Sequence, residues 1–332
     1  MTQVCHDVVA IGNAIVDIIG RCDDAFLARH GAPKGHMRLV DAATVATLYA
    51  EMGPGIEISG GSAANTMVGL ASFGGRAAFI GKVASDEFGG IFRHDITAAK
   101  VAFNTAPVGG KAPTSRSLIL VTPDGERTMN TFLGISTDLD GGEVDPSLIQ
   151  ASAIVYLEGY LFDRPEAKAA FRQAARIAKK AGRRVALTLS DSFCVDRHRG
   201  EFLDLIRNGV DILFANESEI TSLYETKSFE DAAKRAAADT PLAVLTRSAK
   251  GSVIFSGDKS VAVPAVPLAA VVDTTGAGDL YAAGFLFGLS NGRDTQTCGR
   301  LGSLAASEII SHIGARPATS LGALAKAQGL VS

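Results

Sequence analysis

Short apolar runs recur along this chain, separated by longer stretches in which apolar and polar residues alternate with a helical period. The rhythm is clearest from Asp163 onward. Asp163-Arg164-Pro165 can open a helix with proline in its first turn, Ala167 to Ala181 are strong helix formers, and Gly182 can close it. Arg184 to Leu189, Val210 to Ala215 and Leu242 to Thr246 read as buried strands. Helical patterns over Phe229 to Ala238 and Gly276 to Leu289 fall around them. Strands alternating with helices predict a mostly parallel sheet covered on both faces.

The N-terminal half is less regular. Val8 to Ile11 and Ala77 to Gly81 read as strands, Ser62 to Phe73 and Glu87 to Lys100 as helices. Between them lie shorter strand patterns: Ile15 to Arg21, Met37 to Val40, Ser115 to Val121 and Thr128 to Phe132. Thr122-Pro123-Asp124-Gly125-Glu126 joins the last two as a hairpin turn. Strands outside the strand–helix rhythm predict a small separate sheet. The expectation is one large α/β domain over residues 1–332, with that sheet inserted in pieces at about 15–21, 37–40, 115–121 and 128–133.

Composition narrows the function classes. The 332 residues are 47% hydrophobic and 20% charged, as in a globular protein with a large core. A formal net charge of −3 with scattered Lys and Arg gives no footprint for a nucleic-acid partner. No apolar run approaches the ~20 residues that span a bilayer, so no membrane partner is expected. Cys5, Cys22, Cys194 and Cys298 lack any CxxC or zinc-like spacing and read as reduced thiols. The N-terminus enters a strand without a leader pattern, and a cytoplasmic location is expected. Monomer and homodimer both stay open.

The chemistry concentrates in glycine-rich turns. Asp273-Thr274-Thr275-Gly276-Ala277-Gly278-Asp279 runs into a helical stretch, so the N–H groups of Gly276, Ala277 and Gly278 fall at a helix N-terminus, where an anion binds. Asp279 in that first turn either stabilises the helix or serves as a general base beside the anion; the segment alone leaves both readings open. No GxxxxGK[ST] is present and no GxGxxG follows the first strand, so neither a P-loop nor a dinucleotide fold accounts for these glycines. A second turn, Ser59-Gly60-Gly61-Ser62-Ala63-Ala64-Asn65, can present backbone N–H groups and the Asn65 amide to a hydroxylated ligand, or can be a tight turn with Asn65 satisfied internally. Past the first strand, Gly12-Asn13-Ala14-Ile15-Val16-Asp17 places a carboxylate able to accept two vicinal hydroxyls, an exposed turn Asp being the alternative. Asn216-Glu217-Ser218-Glu219, at another strand end, can hold the water shell of Mg²⁺ or cap a helix.

In order and spacing these four elements resemble the ribokinase-like (PfkB) carbohydrate and nucleoside kinases. Gly60 to Asn65 and Asp273 to Gly284 look like that family's two signatures, Asn216-Glu217-Ser218-Glu219 like its NxxE motif, and Thr246 to Gly251 like the strand and turn that frame the ATP phosphates. The likeness runs from Val8 to about Pro317. It implies a three-layer α/β/α sandwich with a small β-sheet lid, ATP as phosphate donor and Mg²⁺ as cofactor. It further implies Asp279 as base with Gly276, Ala277 and Gly278 around the transferred phosphoryl, and Asn13, Asp17, Gly60, Gly61 and Asn65 at the acceptor. Thr246, Ser248 and Gly251 would line the nucleotide phosphates and ribose, with His312 and Gly314 near the adenine. Asn216 and Glu219 would position Mg²⁺ through water, and Asp273 would border the K⁺ site of some relatives. Gly12-Asn13-Ala14-Ile15-Val16-Asp17-Ile18 is similar to the adenosine kinase opening GNxxxDI, Arg127 sits where those kinases carry an arginine, and Phe132, Phe162 and Tyr160 are candidate walls for a base or else core residues. Adenosine is therefore the first expected acceptor, with a free sugar as the alternative and a non-catalytic ligand sensor on the same fold as a third reading.

Overall fold

The computed structural model describes residues 3–110, 112–268 and 270–331. Nine strands form the main sheet: β1 (His6–Ile11), β5 (Ala77–Ile80), β6 (Val101–Ala102), β9 (Ser152–Glu158), β10 (Arg184–Thr188), β11 (Ile212–Asn216), β12 (Leu242–Thr246), β13 (Ser252–Ser256) and β14 (Lys259–Val263). Their order is β14-β13-β12-β11-β10-β9-β1-β5-β6, parallel throughout except for the antiparallel edge β12-β13-β14. Successive side chains of each strand enter opposite layers. Val8 and Ala10 join one apolar cluster with the helix Ala277–Ser290, while Val9 and Ile11 join the other with the helix Pro165–Lys180. One sheet covered on both faces by helices makes the expected three-layer α/β/α sandwich.

A second sheet of five strands contains β2 (Ile15–Arg21), β3 (Met37–Leu39), β4 (Gly55–Gly60), β7 (Ser115–Val121) and β8 (Arg127–Phe132), in the order β3-β8-β7-β2-β4. Sequence patterning missed β4, although Ile56 and Ile58 alternate with polar neighbours between two glycines. It also missed β9 and the helices Asp24–Arg29 and Ala42–Glu51, whose N-caps are Asp23 and Asp41. Helix Ala42–Glu51 buries Val45 and Leu48 in one cluster with Val16, Ile18, Leu118 and Leu120, so one face of this sheet is closed by packing. The other face carries Asp17 and turns toward the carboxyl ends of the main strands. Among the described residues no helix is long and apolar enough to cross a membrane.

Candidate active site

The carboxyl ends of β1, β9, β11 and β12 share one edge of the main sheet, and the two glycine turns meet there. Asp279 lies in the first turn of the helix Ala277–Ser290, whose N-cap Gly276 has φ +78°. Its Oδ1 accepts the Ser62 hydroxyl at 2.6 Å and its Oδ2 the Asn65 amide at 3.1 Å, so the first turn of the helix Ser62–Ser72 orients the carboxylate. Burial pushes the Asp279 carboxyl upward, against the bonds from Ser62 and Asn65 and the charge of Arg316. The Ala277 N–H already donates to the Thr274 carbonyl at 3.2 Å. That donor closes the turn, which corrects the expectation for Ala277 and leaves Gly276 and Gly278 as the candidates for an anion.

The paired glycines at 60 and 61 are required by what lies against them. A Cβ on Gly60 would overlap the Asp17 carboxylate, and one on Gly61 would overlap the Asn13 carbonyl oxygen, at a φ of +99°. Asp17 is 9% exposed, and its carboxyl is pushed up to about 7 by burial, with Arg316 and Arg127 opposing and Asp279 reinforcing the rise. Asn65 Oδ1 is buried with no protein partner, an acceptor left for a ligand.

Asn13 has a different job from the expected one. Its side-chain amide donates to Glu158 Oε1 at 2.7 Å, and its Oδ1 accepts the Ser136 hydroxyl at 2.8 Å. With both ends engaged and 3% exposure, it braces the turn after β1. Glu158, at the carboxyl end of β9 and 1% exposed, was not anticipated from the sequence. It also accepts the Asn13 and Ala63 N–H groups at 3.2 and 2.8 Å, tying the two acceptor turns together, and burial pushes it up to about 7. A carboxylate ending a strand on the ligand edge was the available signal. Arg316, also missed, belongs to no motif.

Arg127 reaches from β8 to the glycine turn, where it pairs with Asp273 and donates to Thr275 Oγ1 at 3.0 Å. Asp273 also accepts the Thr275 N–H and hydroxyl and the Gly314 N–H at 3.0, 2.8 and 3.0 Å. With four donors around a carboxylate that is 4% exposed, these residues do not fit a monovalent cation, and the K⁺ expectation at Asp273 is corrected accordingly. The Gly314 N–H is consumed there too, which brings the segment after the helix Thr295–Ile309 onto the glycine turn. His312 Nε2 lies 3.3 Å from Glu308 one turn earlier, with no hydrogen-bond partner, and Nδ1 lies 3.3 Å from the Ile313 carbonyl. Phe132 pairs with Arg116 across β7 and β8, whereas Ser117, beside Asp17, pairs with Thr131. It therefore occupies the closed face of the small sheet, packed on the core, and is no wall for a ligand beside Asp17.

Asn216 and Thr246 are register neighbours closing β11 and β12. Asn216 and Glu219 form a capping box: Asn216 Oδ1 accepts the Glu219 N–H at 2.8 Å, and the Glu219 oxygens accept the Asn216 N–H and amide at 3.0 and 2.6 Å. Burial pushes Glu219 up to about 7. Each Glu219 oxygen keeps a lone pair, which fits the water shell of Mg²⁺ arriving with a polyphosphate. Among the described residues no cluster of three or more acidic, His or Cys side chains forms a direct metal site. Ser248, exposed at φ +51°, and Gly251 turn the chain between β12 and β13, with Gly251 N–H donating to Ser248 O at 3.0 Å.

A buried carboxylate in the first turn of a helix that follows a glycine turn matches a known constellation. Residues 56–320 match the profile of the pfkB family carbohydrate kinases. The chain belongs to this family. Its members use ATP and Mg²⁺, and this one is a kinase of a sugar or nucleoside. A probable sugar kinase from Rhizobium etli CFN 42 has a solved structure 52% identical to it, covering 100% of both chains with a TM-score of 0.91. The adenosine kinase from Sinorhizobium meliloti is 54% identical over 97% of this chain and 99% of its own, with a TM-score of 0.90. The adenosine kinase of Saccharomyces cerevisiae is 26% identical over 92% of this chain and 95% of its own length.

Proposed function

We propose that the protein transfers the γ-phosphoryl group of ATP to the 5′-hydroxyl of a nucleoside, adenosine first. The observation that carries this reading is the open face of the small sheet. Alternation and register put Ile19, Ile56, Ile58, Met129, Met37 and Leu39 on the same face as Asp17. Met37, Leu39 and Ile56 are 54, 61 and 67% exposed. A free sugar leaves this apolar surface wet, whereas a base attached to the sugar covers it. Burying roughly 100 Å² this way is worth about 2.5 kcal/mol. The 54% identity to an adenosine kinase supports the same acceptor.

In this reading the small sheet is the lid, and Arg127 ties it to the glycine turn. Asp17 accepts the ribose hydroxyls, and Asn65 Oδ1 takes a further hydroxyl. Asp279, oriented by Ser62 and Asn65, removes the 5′-hydroxyl proton as that oxygen attacks the γ-phosphorus, the bond from the γ-phosphorus to the bridging oxygen breaks, and ADP leaves. The Gly276 and Gly278 N–H groups face the transferred phosphoryl, and Thr246, Ser248 and Gly251 border the donor phosphates. Glu219 and Asn216 would hold Mg²⁺ through water, where the ion would supply positive charge to those phosphates.

The test is ATP consumption with Mg²⁺ across adenosine, inosine, guanosine, cytidine, ribose and fructose. Turnover confined to nucleosides supports the reading. Turnover on free sugars alone keeps the mechanism and discards the acceptor, the outcome that the 52% identity to a probable sugar kinase keeps in play. Silence on every acceptor would favour a ligand sensor.

A further inference from the structure

Arg316 follows the helix Thr295–Ile309 in an irregular segment, yet its guanidinium is spent on the acceptor turn. Its Nε donates to the Ser59 carbonyl at 2.9 Å, Nη1 to the Ala64 carbonyl at 3.1 Å, and Nη2 to the Ser59 carbonyl and, at 2.8 Å, to its hydroxyl. From the other side Asp95, on the helix Glu87–Ala98, accepts the Ser59 N–H and hydroxyl at 2.8 and 2.5 Å. Between the two gripped carbonyls lie Gly60, against Asp17, and Ser62, against Asp279, with Asn65 just beyond. A flexible ammonium cannot span two carbonyls and a hydroxyl as the planar fork does.

We propose that Arg316 is a positioning residue of the acceptor site, its fork fixing the Ser59–Ala64 turn against Asp17 and Asp279. The proposal rests on the reading of Asp279 as general base. The Arg316 charge opposes the upward push of burial on both carboxyls, and its own pKa is brought down to about 10 by burial, so it stays a cation at neutral pH. The other charged groups around this pair are Asp95, Arg127 on β8, Glu158 at the end of β9, and Glu219 on the helix Glu217–Leu223. Asp95 partly neutralises the guanidinium.

Fork and charge separate in three variants, each assayed with ATP and the acceptor chosen by the substrate panel, after a melting curve shows it folded. Arg316→Lys keeps the charge and loses the fork. Acceptor KM rises about tenfold or more, ATP KM stays within about twofold, and the acid limb of kcat/KM stays in place. Arg316→Gln loses both, so the same KM rise comes with an acid limb moved up by roughly half a pH unit or more. Asp95→Asn leaves the Arg316 bonds standing and removes the neutralising anion, so its acid limb moves down; it carries the test if the Arg316 variants fail to fold. An acid limb unmoved in Asp95→Asn or Arg316→Gln, or acceptor and ATP KM rising together, would overturn the proposal alone. A wild-type protein inactive on every acceptor would sink the general-base reading and this proposal with it.

Discussion

One methyl group at Gly60 separates acceptor binding from the integrity of the fold. The Cβ of Gly60→Ala would occupy the space of the Asp17 carboxylate, and Gly60 has no positive φ to strain the backbone. The displaced atoms end a side chain that can rotate, so Asp17 swings away while the turn survives. Asp17 then loses its alignment with the acceptor hydroxyls. A hydrogen bond to a charged group is worth about 1.5–3 kcal/mol, so losing one lowers kcat/KM for the acceptor about 10- to 150-fold. ATP KM stays within about twofold, because Thr246, Ser248 and the glycine turn are untouched. Overpacking limits the stability loss to about 1–3 kcal/mol. Gly61→Ala is the contrasting control: its Cβ meets the Asn13 backbone carbonyl at a positive φ, so the fold itself suffers. Steady-state kinetics in both substrates with a melting curve for each variant decides the matter. Acceptor kcat/KM within about twofold of wild type in Gly60→Ala would refute the placement of Asp17 at the acceptor.

Three further outcomes follow from the same geometry. Glu158→Ala strands the Asn13 N–H and amide and the Ala63 N–H, at about 1–3 kcal/mol for each buried donor left unpaired; denaturant unfolding should show a loss of at least about 3 kcal/mol, and a loss under about 1 would contradict the brace. Glu158 is raised from 4.5 to about 7, so the folded state holds a proton that the unfolded state releases. The resulting stabilisation is full below pH about 4.5 and is lost as pH rises through about 7, worth about 3 kcal/mol for this group. Asp17 and Glu219 act with the same sign, so a melting temperature that rises between pH 5 and pH 8 without ligand would contradict it. Because Asp273 is ringed by four donors, turnover in K⁺ should match that in tetramethylammonium within about twofold, and strong K⁺ activation would show that Arg127 leaves this carboxylate.

What was legible in the sequence was local. The glycine turns announce themselves because close backbone approach demands small residues over a few positions, and the buried strands show as continuous apolar runs. The contacts that finish the site are distant. Glu158 meets Asn13 across 145 positions, with its place at a strand end as the only local signal, and Arg316 meets Ser59 across 257 with no motif around it. Phe132 is a different case. It stands five positions after Arg127 on one strand, so the period of two already puts them on opposite faces. Only the register with β7 decides that Arg127 faces the glycine turn. The cation expectation at Asp273 came from the family resemblance, which says nothing of the arginine that folds onto it here.

The most direct measurement is kcat for Asp279→Asn against wild type with saturating ATP, Mg²⁺ and the preferred acceptor. Asparagine keeps the shape but cannot take the hydroxyl proton, so kcat should fall by about 10²- to 10⁴-fold while both KM values change by less than about fivefold. Turnover near the wild-type rate would remove Asp279 from the chemistry and contradict the account.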